Sequence, residues 1–542
     1  MEFDIDALLA KDPLVIFNAY PPKPEHITFA LPPGQRDFYE LWEPGAPWLN
    51  ALEHVDIYRL HAFQMRHFMD DEQVTTLVEF LRERQIPLML ETEPLIPPDP
   101  EECAHSESYE APFDLEMAVR LKELGGQVDI IAIEEPYHFA HLLDTPDACR
   151  YSVERIVDEV LQHVGNLREL FGDIPVGTIE PIWASPQTEP RDMEIWLDTF
   201  EAIAGEPFAF LHVDPNWYRP DWADVALGIE AVADARGVPF GILYNGGTET
   251  GGLPWMNFMM ANAAELEVAR GATPQHVSFQ SWVDWPDHAL PEDDLTALTS
   301  SIVRYFGQRL DLSVEGADGG LLARLTDLDG QPVEGVRLDV SRITTEQTVA
   351  TQTIRGVVPP GITEALILVR ANAENAITGA AAATLLEVSF SDGAGGPNLV
   401  PNGLFADGTD HWGIYGSNAE GVRSVAAGSG RGLTVNATPT QDIWIDGTTF
   451  PVTAGSDYEL SVTYELDGGS PDSVVVSVAF VGVSRGNIFL HHLPEDIGEF
   501  VTDADGLVRV SSDAIGVGPA TIVVATNGDL DHWPATVSIP LE

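Results

Sequence analysis

Residues 128–136, VDIIAIEEP, join a continuous apolar run to an acidic end that is followed by proline. A run of Val, Ile and Leu without alternation is typical of a parallel strand buried on both faces. Proline after the run predicts the end of that strand, because it lacks the N–H that a sheet needs. The same arrangement recurs three times, in IPLMLETEP (86–94), VGTIEP (176–181) and FAFLHVDP (208–215).

The acids before these prolines are Glu93, Glu135, Glu180 and Asp214, at intervals of 42, 45 and 34 residues. Each interval fits one strand-plus-helix unit, and amphipathic helical segments such as 71–84 and 151–171 lie between the strands. Four more strands are predicted from the same alternation, at 14–20, 55–64, 240–246 and 276–282.

Eight such units predict a (β/α)8 TIM barrel over residues 1–311. No G-x-G-x-x-G follows the first strand, which argues against a dinucleotide-binding sheet.

The hydrophobic pattern of the sequence changes near residue 311. Before this point it has the periodicity of helices, and after it apolar and polar residues alternate in short runs. The Gly-rich segment 391–403 has the composition of a linker. We therefore expect two all-β, jelly-roll-like sandwiches, at 312–393 and 394–542.

The charge is extreme: 86 Asp and Glu stand against 27 Lys and Arg, a formal net charge of −59, and only three lysines occur. This composition resembles that of extreme halophiles, in which molar salt screens the repulsion between acids. With no basic patch, a nucleic acid is not an expected partner. Most acids must be surface groups, so only their position can indicate function.

The sequence contains no apolar run long enough for a membrane span, and its beginning lacks the basic region of a secretory signal. No membrane insertion is expected. An extracellular or virion-surface location is expected from the carbohydrate-directed features described below. Two cysteines, Cys103 and Cys149, allow either a bridge between neighbouring loops or two free thiols.

Polar residues recur at the predicted strand ends, where a barrel carries its chemistry. Besides the acids before proline, we expect a binding site formed by His61, Glu91, Glu134, His212, Tyr244, Asn245, Gln280 and Trp282. Tryptophans cluster after strands 5 to 8, with Trp183 and Trp217 the nearest to their strand ends. Flat aromatic faces beside carboxylates are typical of a carbohydrate cleft.

The Glu134-Glu135-Pro136 segment resembles the Asn-Glu-Pro signature of the large TIM-barrel glycoside hydrolase clan. The resemblance implies that Glu135 is the general acid/base, with Glu134 in place of the asparagine. The clan has its nucleophilic glutamate at the end of strand 7, where this chain has Tyr244 and Asn245. The second carboxylate is then expected at Glu180 or Asp214, with Glu249 a weaker substitute.

The segment Asn398-Leu-Val-Pro-Asn-Gly-Leu-Phe405, with Trp412 shortly after, resembles the opening of carbohydrate-binding-module jelly rolls. This resemblance implies a carbohydrate partner. It marks a fold more than a ligand, and Trp412 fits a core position as well as a sugar platform.

Three functions remain open. The leading one is a glycoside hydrolase that acts on a polysaccharide or a glycoprotein glycan without a cofactor. The second is a non-catalytic receptor-binding component of a haloarchaeal virion or cell-surface assembly. The third is a metal-dependent enzyme that uses His61, Glu91, His212 and Asp214 as ligands.

Overall fold

The computed structural model describes residues 3–541, except 25–33, 100–102, 104–106, 145–147, 184–186, 220, 248–250, 284, 318, 345–348, 360, 372–380, 394–395, 428–429, 439–440, 467–472, 481–482 and 517. Glu249 therefore lies outside the described residues. Two compact units divide the chain close to residue 307.

The first unit is a closed barrel of eight parallel strands, each paired with the next and β1 paired with β8. The prediction of a (β/α)8 barrel is confirmed. The strands are Leu14–Asn18 (β1), Ile57–His61 (β2), Leu88–Thr92 (β3), Ile130–Glu134 (β4), Val176–Ile182 (β5), Leu211–Pro215 (β6), Phe240–Tyr244 (β7) and His276–Gln280 (β8).

Helices surround these strands, and their ends follow local sequence signals. The longest, α6, begins at the Ser152 cap, and α4 begins with a capping box between Asp70 and Gln73. The helices are Ile5–Leu9 (α1), Leu49–His54 (α2), Ala62–His67 (α3), Asp71–Arg84 (α4), Ala111–Glu123 (α5), Val153–Phe171 (α6), Pro190–Ala204 (α7), Trp222–Asp234 (α8), Gly252–Ala263 (α9) and Ser300–Tyr305 (α10).

Proline does not end every strand that it follows. β4 stops at Glu134, as predicted, but β5 continues through Pro181 to Ile182, and β6 includes Pro215. Pro181 pairs in register with Asp214, and Ile182 with Pro215. The ladder tolerates these prolines because they lie in its last two residues, where few hydrogen bonds remain to be lost.

The second unit is built of antiparallel sheets that enclose two hydrophobic cores. Its strands are Leu310–Ala317 (β9), Gly320–Asp327 (β10), Arg337–Ile343 (β11), Ala350–Val357 (β12), Glu364–Ala371 (β13), Ala381–Asp392 (β14), Trp412–Tyr415 (β15), Val422–Ala427 (β16), Gly430–Ala437 (β17), Ile443–Gly447 (β18), Phe450–Pro451 (β19), Asp457–Leu466 (β20), Val474–Phe480 (β21), Val483–Phe489 (β22), Glu495–Val501 (β23), Leu507–Ser511 (β24), Ala520–Thr526 (β25) and Ala535–Leu541 (β26). A short helix, Ser512–Ile515 (α11), follows β24.

The two sandwiches are nested rather than consecutive, so the strand pairing differs from the predicted division at residue 393. One sandwich consists of the sheets β24-β10-β9 and β23-β11-β25-β26. The other, β12 to β22, is inserted between β11 and β23. The prediction assumed that strands near in sequence pair together, whereas β11 pairs with β23 and β25.

The Asn398–Phe405 segment is part of the inserted sandwich and is hydrogen-bonded to its strand β14. Asn398 bonds the backbone of Val388 and Phe390 in β14. Trp412 is 6% exposed and lies against Phe405, so it is a core residue and not a sugar platform. Among the described residues, no helix has the length and apolar character needed to cross a bilayer.

Candidate active site

The inner face of the barrel changes from apolar to polar toward the carboxyl ends of the strands. Side chains alternate along each strand, so residues two apart share a face. In β2 the inward series is Ile57, Arg59 and His61, of which Ile57 belongs to the apolar core of the barrel. Arg59 is fully buried, and its Nε lies 3.1 Å from Glu91 Oε2. A buried cation thus lies at the base of the predicted acidic site.

His61 and Glu134 form a short contact, with 2.5 Å between Nε2 and Oε2. Burial opposes the charge on His61, but Glu134 and its neighbouring acids outweigh burial and raise the histidine pKa to about 10. Burial likewise opposes the charge on Glu134, but His61 prevails and lowers the pKa of that carboxyl. Glu134 is therefore the ionised acid of the site.

The protonation of His61 is constrained from its other side. Its Nδ1 accepts the N–H of Phe63 at 2.9 Å, as the cap of helix α3. This bond needs a lone pair on Nδ1, whereas the raised pKa favours a doubly protonated ring. In either form Nε2 carries a proton and donates it to Glu134.

This proton argues against a metal centre. The ligand atoms of His61, Glu93 and Glu134 lie within 4.8 Å of one another, a spacing that suits a cation. A metal on Nε2 would displace the proton to Nδ1 and break the bond from Phe63. Among the described residues, the ligand atoms that converge are those of His61, Glu93 and Glu134, and not the predicted set of His61, Glu91, His212 and Asp214.

The pKa values of three further acids at the mouth are raised above their ordinary values. Burial, followed by the charge of Glu134, raises the pKa of Glu93 to about 9. Burial raises the pKa of Asp214 to about 7, although Arg59 and Asn245 oppose the change. The pKa of Glu135 is raised well above its ordinary value, by burial and then by the charges of Glu107, Glu134 and Asp214. Neighbouring acids with different proton affinities are the usual arrangement in acid–base catalysis.

Glu135 lies at a bend in the backbone. Its φ of 50° is in the left-handed region, which a non-glycine residue rarely adopts. Because the chain turns here, Glu134 and Glu135 both contribute to the group of interacting acids, although neighbouring residues of a strand point to opposite faces.

Asn245, at the end of β7, orients Asp214. Its Nδ2 donates to Asp214 Oδ1 at 3.1 Å, and its Oδ1 accepts bonds from Trp217 Nε1 and the Gly247 N–H. Both ends of the amide are therefore fixed. Asn245, which stands where the clan has its strand-7 glutamate, thus holds Asp214 of strand 6 in place.

Residues 108 and 109, in the segment between β3 and α5, contact acids of the mouth. Tyr109 N–H donates to Glu93 Oε2 at 3.1 Å, and Ser108 Oγ donates to the backbone oxygen of Glu134 at 2.5 Å. Cys103, in the same loop, forms a disulfide with Cys149 in the loop after β4. Of the two alternatives left open by the sequence, the bridge between neighbouring loops is present.

Several predicted site residues lie away from the mouth or below it. Glu180 accepts the N–H groups of Tyr137 and His138 at 3.0 and 3.1 Å, and this structural role removes it from the candidate catalytic pair. Tyr244 donates to Glu267 at 2.6 Å, so its hydroxyl faces the surrounding segments. His212 is 1% exposed and bonded to His276 inside the barrel. For Glu180 and Tyr244 the cause is alternation, because one register step moves a side chain from the lumen to the helix layer. His212 faces the lumen but lies below the mouth.

Gln280 ends β8 beside Asn18 of β1 and is 7% exposed. Trp217 is 5% exposed, and the ring lies against Trp222, so it packs rather than offering an open face. Trp282 is 46% exposed, and Trp183 is half-buried with its ring stacked on His138. These two rings remain as platforms for a ligand.

Arg219 holds the loop that carries Trp183. It is almost fully buried and donates to the backbone oxygens of Trp183 and Thr188, at 2.9 and 2.6 Å. It also pairs with Glu189 and Asp221. One guanidinium thereby joins the loops that follow β5 and β6.

Two members of the site, Arg59 and Glu107, are not among the residues predicted from the sequence. Arg59 was detectable, because it shares the inward face of β2 with His61 at a spacing of two. Glu107 had no sequence signal, since its place depends on a loop fold. Two cavities, of about 720 and 590 Å3, lie elsewhere: both are lined by Phe3 and Asp4, just before α1, and contain none of these acids.

No family model matches this chain, and no curated protein matches it in sequence. Among solved structures, it is similar to GH10 from Paenibacillus barcinonensis, with 14% identity over 52% of this chain and 87% of the other, at a TM-score of 0.33. N2152 from Neocallimastix frontalis has 10% identity, over 77% of this chain and 90% of the other, at a TM-score of 0.32. Rhizobium etli pyruvate carboxylase has 11% identity, over 51% of this chain and 24% of the other, at a TM-score of 0.30. At these scores the likenesses carry no argument about activity.

Proposed function

We propose that the barrel hydrolyses glycosidic bonds with Glu135 as the general acid and Asp214 as the ionised carboxylate. The observation that carries the proposal is the pair itself. Two interacting carboxyl groups stand at the ends of β4 and β6, and the pKa of Glu135 is raised well above its usual range while that of Asp214 is about 7. Glycoside hydrolysis needs one acid protonated and one ionised at the same pH.

In the proposed reaction, Glu135 gives its proton to the glycosidic oxygen as the bond from that oxygen to the anomeric carbon breaks. In one route Asp214 attacks the anomeric carbon and forms a glycosyl ester, which water then cleaves while Glu135 takes the proton of that water. In the other route Asp214 takes a proton from the water that attacks the anomeric carbon directly. Asn245 fixes the direction of the Asp214 carboxylate through the 3.1 Å bond. Glu134 and Arg59 set the electrostatic field around the reacting groups, and neither exchanges a proton in this scheme.

Trp282 and Trp183 supply the flat faces on which a sugar ring stacks in this proposal. The Asn398–Phe405 resemblance supports a polysaccharide or glycan as the substrate. The disulfide supports action outside the cytoplasm, since such bonds persist in oxidising compartments. The net charge of −59 supports a halophilic setting, in which salt screens the acidic surface.

The test is sugar release from a panel of polysaccharides in molar salt by wild type, Glu135→Gln and Glu135→Ala. We expect the glutamine variant to lose roughly 1,000-fold in activity while still binding the substrate. Small anions such as azide should partly restore the alanine variant if Asp214 is a nucleophile. The anomeric form of the first product then separates retention from inversion.

Unchanged hydrolysis in Glu135→Gln would remove Glu135 from the mechanism. Glycan binding by a wild-type protein that releases no sugar would instead favour the non-catalytic alternative, a receptor-binding part of a virion or cell-surface assembly. Co-purification with a fixed ratio of assembly proteins would support that alternative directly.

A further inference from the structure

Glu180 is a fully buried acid whose two carboxyl oxygens hold one short stretch of backbone. It lies on β5 and is 0% exposed. Its Oε1 accepts the N–H of Tyr137 at 3.0 Å, and its Oε2 accepts the N–H of His138 at 3.1 Å. Because each oxygen accepts the N–H of one of two successive residues, a single side chain fixes both the position and the direction of this backbone.

The stretch that Glu180 holds begins directly after the acid–proline step at the end of β4. Tyr137 and His138 lie in the first turn of the helical segment that follows this strand. The N–H groups at the start of a helical segment have no partner within it, so a partner from outside helps to decide where the segment begins. Glu180, on the neighbouring strand β5, is that partner.

The backbone of Glu135 lies between β5 and this turn. Its N–H donates to the oxygen of Ile179 at 2.9 Å, and its own oxygen accepts the N–H of Phe139 at 3.1 Å. The left-handed φ of 50° at Glu135 costs free energy and persists only where the surroundings impose it. The turn that Glu180 holds is part of those surroundings. It therefore helps to fix the direction in which the Glu135 carboxyl group leaves the backbone.

The same contact extends to an aromatic platform of the mouth. His138 is 2% exposed, and its ring stacks on that of Trp183, with 5.8 Å between the centroids and 18° between the planes. Burial lowers the pKa of His138 to about 4, so the ring is uncharged at neutral pH and the stack does not depend on a histidine charge. The second oxygen of Glu180 thus fixes the backbone of the residue that supports Trp183.

We propose that Glu180 is a positioning residue, which aims Glu135 at the leaving oxygen and supports the Trp183 platform through one stretch of backbone. The inference rests on the proposed function of Glu135 as the general acid. Glu180 touches neither the substrate nor the reacting atoms in this scheme, and it exchanges no proton. One buried carboxyl group thus couples the donation of a proton to the stacking of a sugar ring.

The first measurement follows the backbone and needs no turnover. Hydrogen exchange of the two amides that Glu180 binds is compared in wild type, Glu180→Gln and the control Glu267→Gln. Glutamine keeps one acceptor but places its NH2 group against the other N–H, so we expect roughly tenfold faster exchange. Glu267 also accepts two hydrogen bonds, from Tyr244 and Tyr305, but these lie on β7 and α10. Glu267→Gln should therefore leave the exchange of these amides unchanged. Unchanged exchange in Glu180→Gln would overturn the proposal.

The second measurement separates the positioning of an acid from a general loss of structure. Aryl glycosides of the released sugar are compared, one with phenol and one with dinitrophenol as the leaving group. Phenol needs the proton of Glu135 to leave, whereas dinitrophenol leaves as an anion. In Glu180→Gln we expect kcat/KM to fall roughly 10- to 100-fold further for the phenyl glycoside than for the dinitrophenyl glycoside. Both should share a smaller fall of roughly two- to tenfold, as Trp183 loses its support.

An equal fall for the two glycosides would show that Glu180 is merely structural and would overturn the proposal. Glu180→Asp guards against misfolding of the glutamine variant, because it keeps both carboxyl oxygens but withdraws them by one methylene group. It should show the same two changes to a smaller extent. Exchange and kinetics like those of wild type in Glu180→Asp would contradict the proposal.

The two measurements also separate this inference from the proposed function. If wild type releases no sugar while exchange rises in Glu180→Gln, the proposed function fails, whereas the hold of Glu180 on the segment is confirmed. If wild type releases sugar and Glu135→Gln does not, but Glu180→Gln has the kinetics of wild type, only the present inference fails.

Discussion

The barrel mouth and the surface of the inserted sandwich use the same residue type in opposite ways. At the mouth, Glu91, Glu93 and Glu135 are each less than 8% exposed and interact with other acids. In the sandwich, Glu459 is an exposed acid of β20 that pairs with exposed Arg355. A buried carboxyl changes its proton affinity, whereas an exposed one mainly contributes charge. The comparison teaches that burial, rather than acid content, identifies the chemistry of this chain.

The largest expected effect is on activity. Asp214→Asn keeps the size of the side chain but removes its charge, and we expect sugar release to fall roughly 1,000-fold. In wild type, kcat/KM should rise with pH through about 7, as Asp214 ionises. The matched change Glu459→Gln should leave the whole profile unaltered. Equal losses in both variants would break the distinction between mouth and surface.

The second effect is on stability as a function of pH. Glu93 has a pKa of about 9 in the folded barrel, against 4.5 for its ordinary value. The folded state then binds more protons than the unfolded state between these values, so the free energy of unfolding falls as the pH rises from about 4.5 to 9. Glu93→Gln should flatten this fall by on the order of a few kcal/mol. Chemical unfolding at several pH values measures how the free energy of unfolding depends on pH. If Glu93→Gln left this dependence unchanged, the raised pKa of Glu93 would be contradicted.

The third effect separates a buried arginine from an exposed one. Arg219→Ala leaves the backbone oxygens of Trp183 and Thr188 without their donor, and we expect a loss of about 2–4 kcal/mol in the free energy of unfolding of the barrel. Substrate KM should rise as Trp183 loses its support. Arg219→Lys, which lacks the forked guanidinium, should recover only part of the loss. A full recovery would show that charge alone suffices.

The smallest effect belongs to the surface pair. Arg355 and Glu459 approach to 2.7 Å, but their side chains are 77% and 43% exposed. A double-mutant cycle should give less than about 1 kcal/mol, and high salt should remove most of it. A coupling energy as large as the loss expected for Arg219→Ala would show that exposed ion pairs of this chain contribute substantially to the free energy of unfolding.

The sequence predicts those features of the structure that depend on neighbouring residues, and it fails for those that depend on contacts between segments far apart in the chain. The strand-end acids and the barrel follow from local runs such as VDIIAIEEP, because burial and period are local properties. Glu180 was misassigned because one register step decides whether a side chain faces the lumen or the helix layer. Glu107 and the pairing of β11 with β23 depend on contacts between distant segments, which no local pattern encodes.

The nested sandwiches also determine the order in which the chain can assemble during synthesis. Ile343, the last residue of β11, precedes Glu495, the first residue of β23, by 152 residues. β11 takes both its neighbours from the last part of the chain, so its two edges stay open while the inserted sandwich is made and folds. Open strand edges invite wrong pairing. Loss of the last strands would therefore disrupt a sandwich whose first strand begins at residue 310.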